Sequence, residues 1–159
     1  MFKETFHHSW YPFQNQAEID RVRKITFEDI VAMNGKHPTN PNIQLDVIPV
    51  DQFEMIMLTD MVKRIIDSDR NDTSCVMIMC NPNPTYIKVA YMLQQLKVNM
   101  RNVKFYMMDE WADEDGNIAP ETYEAGFVHS MIKYLVMQID PKLRMPMENV
   151  HFPTNENIK

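Results

Sequence analysis

The chain has 159 residues, 45% of them hydrophobic and 24% charged, which is the size and balance of one globular domain with its own core. A net charge of -6 argues against a nucleic-acid or anionic-membrane surface, since either needs clustered Lys and Arg against phosphate, and favours a small polar ligand. No apolar stretch approaches the roughly 20 residues that cross a bilayer, and "MFKETFHHSW" lacks the apolar run of a secretion signal, so the expected compartment is cytoplasmic.

Residues 1–42 read as an N-terminal extension and linker. They mix aromatic and polar residues without a sustained period, except for a short helix in "ITFEDIVAM" with Thr26 as N-cap. Gly35, Pro38 and Pro41 then interrupt regular structure. Residues 43–159 read as the α/β domain, with a regular pattern from residue 44. "QLDVIPV" predicts a strand over 44–50, and "DQFE" predicts a helix start, with Asp51 as N-cap and Glu54 completing a capping box. Leu58, Met61, Val62, Ile65 and Ile66 form the apolar stripe of a helix over 52–67.

"CVMIMC" is short and apolar, as expected of a strand over 75–80 covered on both faces. Its two cysteines are five apart, about 16 Å along a strand and on opposite faces, so they neither pair nor share a metal and read as core thiols. In "NPNPTYIKVAYMLQQLKV" Asn83 can cap, Pro84 suits the first helical position, and Val89, Met92, Leu93 and Leu96 form a buried stripe over 84–97. "VKFYMM" predicts a strand over 103–108. A helix over 121–138 follows, with Tyr123, Phe127, Met131, Tyr134 and Leu135 on one side, and "NVHF" reads as a further strand.

Alternating strands and helices predict an α/β fold with a mainly parallel sheet wound by right-handed crossovers. The fifteen methionines fall mainly at core positions of these elements. The three glycines fit neither GxGxxG nor the phosphate-cradling GxxxxGK[ST] motif. None of the five histidines has metal-pair spacing or a triad partner, and "DEDGN" fails the EF-hand pattern, so neither a metal nor another cofactor is expected.

The abrupt change from "VKFYMM" to "DEWADEDG" puts Asp109 at the carboxyl end of a strand, where parallel sheets bind ligands. A carboxylate partly desolvated there can serve as a general base; the competing reading is a turn cap followed by a solvated acidic loop.

"VKFYMMDEW", "PETYEAGFVHSM" and "MENVHFPTNEN", in this order, resemble the first half of the glucosamine-6-phosphate deaminase/isomerase family, which includes 6-phosphogluconolactonase relatives. The resemblance covers residues 43–159 and implies a Rossmann-like three-layer fold, of which this would be the first half of the domain. It implies a sugar-phosphate substrate in carbohydrate metabolism, with Asp109 moving a proton between C2 and C1, Glu110 in support and Trp111 as a wall of the site. Asn81, Asn83 and Thr85 would contribute to substrate binding, and self-association into a homo-oligomer stays open.

Two departures bear on this reading. "CNPNPTY" stands where the family has a glycine-rich phosphate loop, and Pro82 and Pro84 have no N–H to donate, so residues 81–85 are not expected to form an anion nest. The later Asp-Gly-His motif of the family is absent from these residues. The chain is therefore read as a fragment, a partner-completed subunit or a degenerate relative. A non-catalytic sugar-binding module and a lactonase-like hydrolase are the alternatives.

Overall fold

A computed structural model of the chain describes residues 15–35, 39–80 and 85–158. The chain divides into two units, Met1–Pro49 and Val50–Lys159.

In the first unit, α1 (Gln16–Val22) begins where the Asn15 side chain accepts the Glu18 N–H. The Thr26 cap of α2 (Phe27–Ala32) is present as expected. Its hydroxyl accepts from the Asp29 N–H at 3.2 Å, and the Asp29 carboxylate accepts from the Thr26 N–H at 2.8 Å. Neither helix has a buried residue.

The strand expected over 44–50 does not form: residues 44–49 are irregular and Val50 is already helical. Local bonds take the groups a ladder would use. The Gly35 N–H donates to the Leu45 carbonyl, and the Val47 N–H donates to Asn34 Oδ1. Pro49 has no N–H to offer.

The second unit contains α3 (Val50–Asn71), β1 (Cys75–Met79), α4 (Thr85–Gln95), β2 (Val103–Met107), α5 (Phe127–Tyr134) and β3 (Val150–His151). Asp51 lies within the first turn of α3 and does not cap it, while Glu54 bonds to α4 instead of closing a capping box. The three strands are parallel in the order β1-β2-β3, with Cys75 opposite Val103, Met79 opposite Met107, and Phe105 opposite Val150. The fold class is thus α/β with a parallel sheet, as expected.

Sequential order has a further consequence. Two right-handed crossovers that advance in the same direction place their helices on the same face of the sheet. Cys75, Met77 and Met79 of β1 and Val103, Phe105 and Met107 of β2 point to that face and are buried. They pack with Leu58, Val62 and Ile65 of α3, Val89 and Leu93 of α4, and Val128 and Met131 of α5. Val76 and Ile78 on the other face are 60% and 71% exposed, and Tyr106 is exposed beside them. Among the described residues the sheet is therefore covered on one face, where "CVMIMC" was expected to be covered on both.

Smaller corrections follow from the same geometry. Cys75 is a buried thiol, but Cys80 lies past the strand end and is exposed. Leu96 falls outside α4 and is exposed, as are Tyr123 and Tyr134. The methionine reading holds for Met77, Met79, Met100, Met107, Met131 and Met145, all buried in the core. No described helix is long and apolar enough to cross a membrane.

The one-sided core separates two substitutions by magnitude. Phe105→Ala empties a fully buried site in the middle strand and should cost about 3–5 kcal/mol, whereas Ile78→Thr on the open face should stay within about 0.5 kcal/mol. Urea unfolding with an unchanged m-value for both variants is the check.

Candidate functional site

Because Met79 pairs with Met107, β1 and β2 end at the same level, and a bond from the Met108 N–H to the Met79 carbonyl extends the ladder by one step. The chain segments after both strands therefore leave from one edge of the sheet, the edge where parallel sheets bind ligands. Asp109 stands there. Its side chain is exposed and makes no hydrogen bond or ion pair among the described residues. The partial desolvation expected of it is not seen, since water reaches the carboxylate.

Glu110, the next residue, is placed quite differently. Its Oε1 accepts from the N–H of Trp111 at 2.8 Å and of Phe127 at 3.0 Å, and its Oε2 accepts from the Val128 N–H at 2.8 Å. Phe127 and Val128 open α5, whose N-cap residue Gly126 has no side chain to supply a cap. A carboxylate from β2's end thus satisfies two of the orphan amides of that helix, with favourable charge at its positive end. This explains why the helix expected from residue 121 starts only at Phe127. Residues 120–126 form successive turns, Tyr123 N–H to Pro120 O and Gly126 N–H to Tyr123 O, and the amides of 127 and 128 turn to Glu110.

Gly126 is the seat of this contact. A Cβ there would lie 2.9 Å from the Tyr123 carbonyl oxygen and 3.1 and 3.3 Å from the two Glu110 carboxylate oxygens. Its φ of -73° and ψ of 151° suit any residue, so the requirement for glycine is steric alone. A glycine just before the apolar run "FVHSM" was the only sequence signal of this start.

The intervening loop folds back on itself. Ala112 and Ile118 form an antiparallel bridge, and the turn between them is held by Asp113 Oδ1, which accepts from the N–H groups of Asp115 and Asn117. The Asn117 side chain first, then these amides, hold the Asp113 carboxyl below its ordinary range. Asp113 and Asn117 are thus turn residues. Trp111 packs its ring against Phe127, with centroids 5.2 Å apart, and with Tyr123, Ile118 and Pro120 it lines an open cleft of about 420 Å³. Trp111 is one side of this cleft, and Tyr123, read from the sequence as a buried helix residue, is another.

At the end of β1, Asn81 and Asn83, together with Pro82 and Pro84, lie outside the described residues. Thr85 begins α4 fully buried and donates its hydroxyl to Glu54 Oε1 at 3.0 Å. The same oxygen accepts from Lys88 Nζ at 2.6 Å. Thr85 is thus engaged with α3, and Glu54 and Lys88, which sequence reading did not single out, meet across the two helices. Tyr86 is buried, its hydroxyl donates to the Cys80 carbonyl at 3.1 Å, and burial pushes its pKa up to about 12.

Of the described histidines, His151 stacks on Tyr106 with centroids 4.3 Å apart. His129 contacts the Glu121 carbonyl through Nδ1, and its Nε2 is buried without a partner. His7, His8 and His37 lie outside the described residues. No three His, Cys, Asp or Glu side chains among the described residues are arranged to hold a metal.

No family model matches the chain, and no curated protein does. Among solved structures it is similar to a monomeric glucosamine-6-phosphate deaminase, described as a missing link of the NagB superfamily, with a TM-score of 0.53 at 11% identity. The match covers 72% of this chain and 44% of that one, so the chain spans less than half the length of the protein it resembles. At this identity the likeness shows a shared Rossmann-like fold.

The Glu54 contacts have a pH signature. The Lys88 hydrogen bond first, then that of Thr85, lowers the Glu54 pKa from its ordinary value of 4.5. A carboxylate depressed in the folded state contributes stability that is fully present above its unfolded value and is lost as pH falls through the folded one. Thermal melts between pH 6 and pH 3 should therefore show a smaller acid-side loss for Glu54→Gln than for the unaltered chain.

Proposed function

We propose that the chain carries part of a sugar-phosphate isomerase/deaminase-like site, in which Asp109 moves a proton between C1 and C2 of the substrate. The observation that supports this most is a carboxylate without a partner among the described residues at the carboxyl end of the middle strand, in a fold shared with a glucosamine-6-phosphate deaminase. A base must be free to accept a proton, and a carboxylate already bonded to backbone amides is poorly suited to that role. Among the described residues Asp109 is free and Glu110 is not. The exposure of Asp109 means that bound substrate has to supply the desolvation that raises its basicity, with Trp111 as the adjoining wall.

A second reading is a non-catalytic sugar-binding relative, favoured by Pro82 and Pro84, which take two amide donors away from the segment after β1. Phosphate affinity would then rest on other groups, such as Asn81, Asn83 and Lys88. Binding of a sugar phosphate without turnover would support it.

The two readings separate in deuterium oxide. Isomerase-type chemistry incorporates solvent deuterium at the carbon that is reprotonated, C1 of the ketose or C2 of the aldose, which proton NMR follows directly for hexose and hexosamine phosphates. Asp109→Asn keeps the size of the side chain while removing the base, and should slow exchange by about 10² to 10⁴ with the fold retained. Exchange preserved within a few-fold in that variant would remove Asp109 from the chemistry.

A further inference from the structure

We propose that Glu110 is a positioning residue that sets the place of Asp109 and Trp111, and that Gly126 is the seat it requires. The inference rests on the reading of Asp109 as base, but its geometry stands apart from that reading. Asp109 has no side-chain partner of its own among the described residues, so its place derives from its two chain neighbours. On one side Met108 is tied to β1 through the bond of its N–H to the Met79 carbonyl. On the other, Glu110 is tied by three backbone amides, two of them at the start of α5.

The α5 end is itself fixed. Gly126 is buried, Val128 and Met131 of α5 are in the core, and both the N–H and the hydroxyl of Ser130 donate to the Gly126 carbonyl, the hydroxyl at 3.0 Å. The Trp111 ring leans on Phe127, the residue whose amide Glu110 holds. One carboxylate therefore links the end of the middle strand, the aromatic wall and the helix start. All three donors are N–H groups and both carboxylate oxygens are used, so the role needs an anion with two acceptor atoms. A glutamine presents one acceptor and one NH2, and the NH2 would meet a backbone N–H head on.

This separates position from chemistry. If Glu110 reacted with substrate, its own ionisation would shape the pH-rate profile and Glu110→Gln would abolish that ionisation, which a positioning residue would not do. As a positioning residue, Glu110 is disturbed equally by Glu110→Gln, which removes an acceptor, and by Gly126→Ala, whose methyl displaces the carboxylate.

The test uses the intact chain carrying Trp10→Phe, so that Trp111 is the only tryptophan. Acrylamide quenching of Trp111, with far-UV circular dichroism as the check on folding, should increase in both Glu110→Gln and Gly126→Ala and stay unchanged in Asp109→Asn. The double variant should add little to either single one, because both break the same contact. Where the chain or a longer protein that carries it turns over a sugar phosphate, each should lower kcat about 10²-fold with a smaller change in KM, and the pH-rate profile should keep its ionisations. Unchanged quenching in both variants overturns the proposal. So does an active Gly126→Ala beside an inactive Glu110→Gln, which would make Glu110 a reacting group. If no sugar phosphate is turned over, the reading of Asp109 fails, and the quenching result still decides whether Glu110 holds this corner.

Discussion

Parallel pairing in equal register is the constraint on which the rest of the second unit depends. Cys75 opposite Val103 and Met79 opposite Met107 give β1 and β2 the same length and level. Their carboxyl ends then open onto one edge, and the connections before them meet at the other. At that opposite edge Arg101 reaches Asp69 in the last turn of α3 and Asp72 just beyond it, and Asn102 donates to Asp72 at 2.8 Å. These half-exposed charges fasten the amino ends of the strands, where polar networks serve stability. At the carboxyl ends Asp109 stays without a partner among the described residues.

The same register decides which side chains form the core. Residues alternate across a strand, so equal register aligns Cys75, Met77 and Met79 with Val103, Phe105 and Met107 on one face. Sequential strand order brings α4 and α5 to that face, and α3 packs against α4 and β1 there. The core is rich in methionine because flexible thioethers fill the irregular gap between short strands and three helices. Val76, Ile78 and Tyr106 carry the other parity and stay exposed.

What was legible in the sequence follows from the range of the forces involved. β1, β2, α3 and α4 are set by periodicity and by local turn residues, so their types and approximate bounds could be read. Thr26 and Asp29 make a cap within four residues, which a short sequence window contains. Glu110 and Val128 make one across 18 residues, which no window contains, and α5 was therefore expected too early. The strand expected at 44–50 has the right composition, but a strand exists only when its backbone finds a partner, and pairing is a property of the whole fold. Covered faces escaped for the same reason: "CVMIMC" reads apolar throughout, yet strand order decides which parity meets a helix. At the site, the place of Asp109 was legible from the polarity change after Met108, while its exposure and the cleft formed with Tyr123 were not.

The two adjacent acids show how neighbouring residues of one charge acquire separate roles. Of Asp109 and Glu110, only Glu110 bonds to the α5 amides among the described residues. The longer side chain is the one that does. Its extra methylene group spans to Phe127 and Val128, and once bonded there the carboxylate is occupied on both oxygens. Asp109, shorter and exposed, has no hydrogen-bond donor among the described residues. Exchanging the order of the two residues would put the short acid against the helix and leave the long one free on a flexible stem. The order Asp then Glu thus combines a fixed corner with an exposed carboxylate, and that difference is the physical content of the "MMDEW" segment.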